Sequence, residues 1–461
     1  MIEVDSNSEI STKIGGTDYD TTGANSFRTV QAARDYERLY LELLSDKVKS
    51  PADCMLEIAV ILFENKMLDL SKVWLTKAAE ESTDPIVKFQ CSQIDKLIDG
   101  DTPETMQYLK EAAESGYDLA CYYYGRCFEY GVDDNFGNQL VARDVKKALD
   151  IYKTVSMTIN DKTPEFKYQH PKSQYRISMI LMNGTGGIPI DQNESLQWIY
   201  KSAAQGLSDA VFSIGIRVVA NEMDITHLND RLITKNSLDK LLNGYKLMEF
   251  GNDRGLDKKN ELIFNETIKP LFQKIYRRYL SEDSKLVKYT MNVPRYYLPD
   301  AKDVGLEIYR TCLLLSLTPG VSTSAYAPIF GSSAAYGNVD GAYEYARYLQ
   351  FFPKEIPNHQ FDSRTLYAAH YWYAAKQQHL LGLLGFSGLP EANEDIQLSI
   401  YAILTHGSSN SFPNPTNTDI EQLESCFERS KENQLLLWHC HPKIPANKDK
   451  ESRLGGCCMA K

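Results

Sequence analysis

A motif that recurs along the chain constrains its fold more than any other feature. Each copy begins with an aromatic or apolar residue and ends in small residues: WLTKAA from Trp74, YLKEAA from Tyr108, IYKTVS from Ile151 and WIYKSA from Trp198. The first residues of successive copies are separated by 34, 43 and 47 positions. Spacings of this length are typical of proteins that are built from repeated helix pairs.

A second pattern, two small residues separated by four others, accompanies the motif. It occurs at Ala120/Gly125, Ser173/Ser178, Ala210/Gly215, Gly341/Ala346 and Gly382/Ser387. Two antiparallel helices cross closely only if small side chains lie where their backbones approach. The aromatic residue of the motif would then fill the space between one helix pair and the next, so that the pairs stack. No stretch alternates apolar and polar residues as a strand does, and the prediction is a succession of helices and short turns.

The stretch GTGGIPIDQNESLQWIYKSAAQG, residues 184–206, resembles the Sel-like repeat, and AAESGYDLACYYYGRCFEYGV, residues 112–132, resembles the other half of the same motif. This family of helix-pair repeats is related to the tetratricopeptide repeat and has a longer, glycine-containing loop between its helices. The resemblance covers residues 70–220 and 337–390. The signature positions are Trp74, Ala78, Tyr108, Ala112, Gly116, Ala120, Gly125, Gly186, Trp198, Ala203, Gly206, Ala210 and Gly215.

The resemblance implies an all-α fold, a right-handed helix-pair repeat superhelix (an α-solenoid) with disordered termini. We expect a disordered polar tail over 1–26, Sel-like helical repeats over 27–220, a divergent helical segment over 221–336 and further degenerate repeats over 337–405. A polar loop, a terminal helix and a flexible tail are expected over 406–461. Because proteins of this family bind other proteins, the implied function is that of a non-catalytic adaptor.

The polar N-terminal tail, the imperfect repeats and the C-terminal cysteines are similar to those of the fungal chitin-synthase activators and of the activators of the protein kinase C cell-wall pathway. This narrower resemblance implies a membrane enzyme or a signalling protein as the partner. A lumenal degradation adaptor of the same repeat family is disfavoured, since the start MIEVDSNSEISTKIGG is acidic and polar, unlike a signal peptide. The chain is expected to be cytoplasmic, with peripheral attachment to the plasma membrane if its tail is lipidated.

The glycine-rich turn GTGGIP has two interpretations, a phosphate cradle or a turn between helices. A phosphate cradle needs GxxxxGK[ST], or GxGxxG after a strand. This turn lacks a third glycine in that spacing and a following Lys-Ser or Lys-Thr, and the helical pattern SQYRISMILM precedes it. The sequence therefore favours a turn in which glycines adopt positive φ.

Several groups of histidine and cysteine residues have the side chains that catalysis or metal binding requires. Cys426 with His439, Cys440 and His441 lacks the paired ligand spacing that zinc sites use. His370 and His379 lie in an aromatic-rich segment that indicates packing and capping roles. No nucleophile elbow or HExxH motif occurs. The prediction is no catalytic residue, no cofactor and no metal; the alternative is an enzyme whose active site lies within 221–336.

The net charge of −11 disfavours nucleic acid as a partner, because phosphate binding needs a basic face. The segment KIYRRYLSEDSKLVKY, residues 274–289, is basic and aromatic and has two interpretations. It could contact anionic lipid or an acidic partner, or it could be the solvated face of a helix. Because Glu282 and Asp283 interrupt the positive charge, the second interpretation is favoured.

The C-terminus reads NKDKESRLGGCCMAK and ends in the outline of a prenylation box, Cys458-Met459-Ala460-Lys461. Lysine at the last position departs from the residues that such boxes use. The tail has two interpretations: Cys458 is prenylated or Cys457 is palmitoylated, or the tail is unmodified. One lipid chain alone would anchor the protein only weakly, so membrane contact would be peripheral.

Overall fold

The computed structural model describes residues 50–157, 170–222, 235–282, 301–316, 322–353, 362–392, 394–407 and 418–440. The predicted polar tail over 1–26 and the first part of the predicted repeats, residues 27–49, lie outside the described residues. So do residues 408–417 and 441–461 of the C-terminal segment predicted over 406–461. The described chain is helical apart from its turns and one short hairpin, which confirms the all-α class. It divides into two compact units, Met1–Thr158 with Lys172–Gln192 and Ile159–Pro171 with Asn193–Lys461.

The first unit is a succession of helices joined by short turns. Its helices are α1 (Pro51–Glu64), α2 (Leu68–Glu81), α3 (Pro85–Asp99), α4 (Pro103–Glu114), α5 (Asp118–Tyr130), α6 (Val145–Met157) and α7 (Pro171–Asn183), followed by a 3-10 turn (Thr185–Gly187). From α1 to α6, each helix packs against the next. Three of the helices begin with a proline behind a side-chain cap, at Ser50, Asp84 and Thr102. These caps satisfy backbone N–H groups that have no partner within the helix.

Two apolar clusters hold the first unit together. One joins α1, α2 and α3 around residues that include Ile58, Leu62 and Leu75. The other joins α3, α4 and α5 around Phe89 and Leu109. Because α3 contributes to both clusters, each helix pair is packed against the next and none stands alone.

A short β-hairpin between α5 and α6 corrects the prediction that the chain contains only helices and turns. Strand β1 (Val132–Asp133) pairs antiparallel with β2 (Gln139–Val141). Strands of two and three residues are too short to show the alternation by which a strand is recognised in a sequence. The side chain of Asp134 stabilises the turn between them by accepting hydrogen bonds from the backbone N–H groups of Phe136 and Asn138.

The second unit is also helical. Its elements are α8 (Gln192–Ala204), α9 (Ser208–Glu222), α10 (Lys235–Asp253), α11 (Lys258–Ile263), a π turn (Phe264–Ile268), α12 (Lys269–Glu282), α13 (Ala301–Ser316), α14 (Thr323–Ala335), α15 (Val339–Phe351), α16 (Ser363–Lys376), α17 (Leu380–Ser387), α18 (Glu394–His406) and α19 (Thr418–Cys440). Successive helices from α13 to α18 pack against one another, and α19 folds back onto α14 and α16. An aromatic cluster that includes Phe212, Tyr245 and Phe272 joins α9 and α10 to the π turn and α12.

The divergent segment 221–336 continues the helical packing that precedes it. Helices α9 and α10 cross where Gly215 and Gly244 meet, and a Cβ atom added at Gly215 would lie 2.6 Å from the carbonyl oxygen of Gly244. A side chain at either position would therefore push the two backbones apart. The predicted boundaries of this segment stay predictions, but its helices belong to the same core as their neighbours.

The closest helix approach in the first unit yields a testable prediction. A Cβ atom at Gly125 of α5 would lie 2.6 Å from the ring of Tyr152 in α6. We expect Gly125→Ala to lower the free energy of unfolding by about 1–3 kcal/mol, since overpacking outweighs the gain in helix propensity. Urea denaturation would measure it. In a Tyr152→Leu background the same substitution should cost far less, and an equal cost in both backgrounds would contradict the steric explanation.

Candidate functional site

The tryptophans of the recurring motif occupy equivalent environments in the two units. Trp74 and Trp198 are almost fully buried. In each copy the lysine three residues later covers the ring, with Lys77 Nζ 4.9 Å from the Trp74 ring centroid and Lys201 Nζ 4.7 Å from that of Trp198. The lysine stem and charge shield the outer face of the indole from solvent. These surroundings indicate that Trp74 and Trp198 pack helices together.

The remaining signature positions also lie in the packing of the helices. Ala78, Ala112, Ala120, Ala203 and Ala210 are buried, and Tyr108 packs against the cluster of α1–α3. Gly116, Gly186 and Gly206 have φ of 85°, 65° and 81°, and Gly125 and Gly215 lie at helix crossings. The glycine-rich turn follows the helix α7, so its preceding element is not the strand that a phosphate cradle needs. Most signature residues therefore pack helices together, while Gly116, Gly186 and Gly206 form turns.

Six charged side chains of the second unit converge at the packing of α10 against α15, and we call this group the ion network. Its members are Lys246, Glu249 and Asp253 of α10 and Asp340, Glu344 and Arg347 of α15. Lys246 Nζ lies 2.8 Å from Asp340 Oδ1 and 3.9 Å from Glu344 Oε1. Arg347 Nη1 lies 3.1 Å from both Glu249 Oε2 and Glu344 Oε2, and Arg347 Nε is paired with Asp253.

The ion network is set among aromatic rings and one histidine. Lys246 Nζ lies 4.7 Å from the ring centroid of Tyr309 in α13. His379 Nε2 lies 3.4 Å from Asp340 Oδ1, while His379 Nδ1 accepts a hydrogen bond of 3.2 Å from the N–H of Gly382 and so caps α17. The capping and packing roles predicted for His379 and His370 match these surroundings, because His370 Nε2 lies 3.2 Å from Ser430 Oγ between aromatic rings.

Four carboxylates and two cations share the ion network, and the pKa values of two of the carboxyls, Glu249 and Asp340, are shifted in opposite directions. Burial raises the pKa of Glu249 to about 7; the charges of Glu344 and Asp253 add to this effect, and Arg347 opposes it. Burial alone would also raise the pKa of Asp340, but Lys246 and His379 outweigh it and hold that pKa well below its ordinary value. One carboxyl of the network thus takes up a proton near neutral pH.

The ion network is the place to look for the alternative function, an active site within 221–336. That segment does contribute converging charged groups, which sequence reasoning missed. The spacing of three or four residues in Lys246/Glu249/Asp253 and Asp340/Glu344/Arg347 could have revealed them, since it places each set on one helix face. Only 3% of the Lys246 side chain and 4% of that of Glu344 are exposed, and each is engaged in ion pairs. A catalytic group must reach its substrate, so this geometry favours a structural role in joining α10 to α15.

The predicted histidine and cysteine group near the C-terminus is only partly described. Cys426 lies buried in α19, and burial raises the pKa of its thiol. The side chains of His439 and Cys440 and the whole of His441 lie outside the described residues. Within the described part of the chain, no group of three or more histidine, cysteine, aspartate or glutamate residues is arranged to hold a metal ion.

The basic segment 274–289 is likewise described only in part. Ile275 of α12 is buried. The side chains of Arg277 and Arg278 and all of 283–300 lie outside the description. Across the described helices, none has both the length and the apolar character needed to cross a bilayer.

A polar cleft of about 380 Å³ lies beside the start of α16. It is lined by Arg364, Thr365, Pro390, Glu391, Gln422 and Leu423. Arg364 Nη2 donates a hydrogen bond of 2.8 Å to Glu391 Oε1, so two walls of the cleft are already joined by an ion pair. The cleft has the size for a peptide side chain or another small group.

Large apolar side chains are exposed mainly at helix ends and in connections. Phe136 is 91% exposed at the tip of the hairpin, and Ile190, between the 3-10 turn and α8, is 62% exposed. Val73, Ile86 and Leu262 are also exposed. Exposed apolar side chains can become buried when a partner protein binds.

No protein-family model matches the chain, and the solved structures similar to it include two repeat proteins. A protective antigen present in uropathogenic Escherichia coli strains, which displays an SLR fold, is 12% identical, with 89% of this chain and 75% of that chain covered and a TM-score of 0.33. A Sel1 repeat protein from Oxalobacter formigenes is 13% identical, with 70% and 99% covered and a TM-score of 0.33. The fold assignment rests on the helix packing described above.

The ion network leads to a prediction about pH. Because the pKa of Glu249 rises from 4.5 in the unfolded chain to about 7 in the folded one, the unfolded state loses this proton first as pH rises. The contribution of Glu249 is therefore fully present below pH 4.5 and is lost as pH rises to about 7. Glu249→Gln should exceed the free energy of unfolding of the wild type by less than about 1 kcal/mol at pH 5 and by up to about 3 kcal/mol at pH 8.

Urea denaturation at the two pH values would measure this difference. Glu428→Gln, an exposed glutamate of α19, is the matched control and should change neither value. A Glu249→Gln variant that is less stable than the wild type at pH 8 would show that Glu249 is needed as an anion.

Proposed function

We propose that the protein is a non-catalytic helical-repeat adaptor that binds a partner protein. The observation that carries this proposal is the division of side-chain roles in the described chain. The repeat residues and the ion network are used to pack helices against one another, while large apolar residues such as Phe136 and Ile190 face solvent. Stacked helix pairs offer an extended, rigid surface for such contacts.

A finer form of the proposal concerns what the partner is. The repeats and the C-terminal cysteines resemble those of fungal regulators, and on that ground we propose a membrane enzyme or a signalling protein that the adaptor activates or localises. A chitin synthase or a component of cell-wall signalling would fit. The net charge of −11 supports a protein partner over nucleic acid.

Partner capture combined with surface substitutions would test the adaptor function. The full chain, tagged at its N-terminus, would be crosslinked in its native cells and the bound proteins identified and purified. We expect at least one of Val73→Asp, Ile86→Asp, Phe136→Asp, Ile190→Asp and Leu262→Asp to weaken binding of the purified partner tenfold or more without lowering Tm, because interface energy is concentrated in few residues.

The control is Glu428→Lys, which changes charge at an exposed position of α19. Binding that none of the five substitutions weakens would contradict an interface made of these residues. Turnover of a cell metabolite by the purified protein, lost in the folded Glu249→Gln variant, would instead support the enzyme alternative within 221–336.

Attachment through the C-terminal cysteines is proposed as a separate property and has its own test. If Cys457 or Cys458 carries a lipid, Cys457→Ser/Cys458→Ser should move the protein from the membrane pellet to the supernatant, since each buried CH₂ contributes about 0.8 kcal/mol to membrane binding. Mass spectrometry of the C-terminal peptide would show the added mass. An unmodified peptide in native cells would leave the protein in the cytoplasm without an anchor.

A further inference from the structure

The side chain of one aspartate, Asp134, stabilises the backbone of the hairpin turn. Asp134 Oδ1 accepts hydrogen bonds from the N–H groups of Phe136 (2.8 Å) and Asn138 (2.7 Å), and Asp134 Oδ2 accepts one from Asn138 Nδ2 (2.8 Å). The same hydrogen bonds lower the pKa of Asp134, with the Asn138 side chain as the largest cause. Gly137 follows with φ of 82°, which closes the turn. Phe136 is therefore presented on a backbone with a defined shape.

The hairpin is also fastened to the helix that lies under it. Asn135 Nδ2 donates a hydrogen bond of 2.5 Å to the carbonyl oxygen of Asp99, the last residue of α3. A Cβ atom at Gly100 would lie 2.7 Å from the Asn135 side chain, so the glycine lets the hairpin rest directly on the end of the helix. The free carbonyls of a helix end need such donors. The contact fixes the position of the hairpin within the first unit.

Phe136, which follows these two anchors, Asp134 and Asn135, is the most exposed of the large apolar residues in the described chain, at 91%. An aromatic ring held in water on a fixed backbone loses little conformational entropy when it binds, and buried aromatic anchors dominate interface energies. The turn itself is acidic, because Asp133 precedes it and Asp134 forms it. Asp99 and Asp101, beside the glycine beneath the turn, are paired with Lys72 and Lys96.

We propose that the hairpin tip is the main contact of the adaptor with its partner. Phe136 enters an apolar pocket on a partner protein, and lysine or arginine residues at the rim of that pocket face Asp133 and the neighbouring acidic groups. The inference rests on the proposed adaptor function and specifies where the partner binds and what chemistry it presents. Opposite charges around a buried aromatic anchor are the usual arrangement of rim and core in an interface.

The acidic surroundings favour a basic protein pocket over the other surfaces that accept an aromatic ring. An anionic bilayer would repel Asp133 and Asp134 at the depth where Phe136 inserts. A second copy of this chain, with a net charge of −11, would bring like charges together at the contact. A pocket with basic residues at its rim meets neither obstacle.

Site-specific photocrosslinking would test the proposal in native cells. The full chain would carry p-benzoylphenylalanine at position 136, which keeps an aromatic ring at the tip, or at position 190 or 262 as matched exposed controls. We expect an adduct from position 136 that maps to a peptide of another protein containing lysine or arginine. No adduct at 136, an adduct within this chain or an adduct with lipid would each overturn the proposal.

Binding of the purified crosslinked protein would then be measured by calorimetry. Phe136→Ala should raise Kd about tenfold or more, and Asp133→Lys should raise Kd at low salt and reduce its dependence on ionic strength. Glu428→Ala, at an exposed position of α19, is the control and should leave Kd unchanged. If Ile190→Ala weakens binding and Phe136→Ala does not, the adaptor function stands and the hairpin inference fails.

Discussion

The close approach of helix backbones at small residues is the constraint on which the rest of the structure depends. A Cβ atom at Gly215, Gly341 or Gly382 would lie 2.6 Å from an atom of the neighbouring helix, so that even one methyl group would separate the pair. A polar side chain buried between helices at this distance is costly unless it is paired within the protein. The positions of the aromatic rings and of the buried charges both follow from this requirement.

Buried ion pairs appear where such helices meet. In the first unit Glu129 of α5 accepts hydrogen bonds from Tyr152 Oη at 2.8 Å and from Arg176 Nε at 3.0 Å. In the second unit Lys246 and Arg347 form ion pairs with four carboxylates, those of Glu249, Asp253, Asp340 and Glu344. A buried charge is costly unless a partner neutralises it, and removing one partner leaves the other exposed to that cost. These ion pairs join α5 to α7 and α10 to α15.

Much of the fold could be predicted because its signals are local. The motif that begins at Trp74 and Trp198 repeats at intervals typical of helix pairs, and the glycine turns show where the helices end. The ion network could not be predicted with the same ease, because Glu249 and Arg347 are 98 positions apart and only the packing of α10 against α15 brings them together. The hairpin could not be predicted for a different reason. Its strands are too short to show the alternation of apolar and polar residues by which a strand is recognised.

The hairpin also shows how a repeat array can acquire specificity without altering its core. Gly125 of α5 and Tyr152 of α6 are in close contact, so that a larger side chain at position 125 would collide with the Tyr152 ring. The 14 residues from Gly131 to Asp144 connect the two helices outside the contact of Gly125 with Tyr152. Because Asp134 and the bond from Asn135 to α3 fix this connection, the exposed ring of Phe136 is held on a defined backbone. Recognition can therefore vary in the connections while the helix pairs hold their geometry.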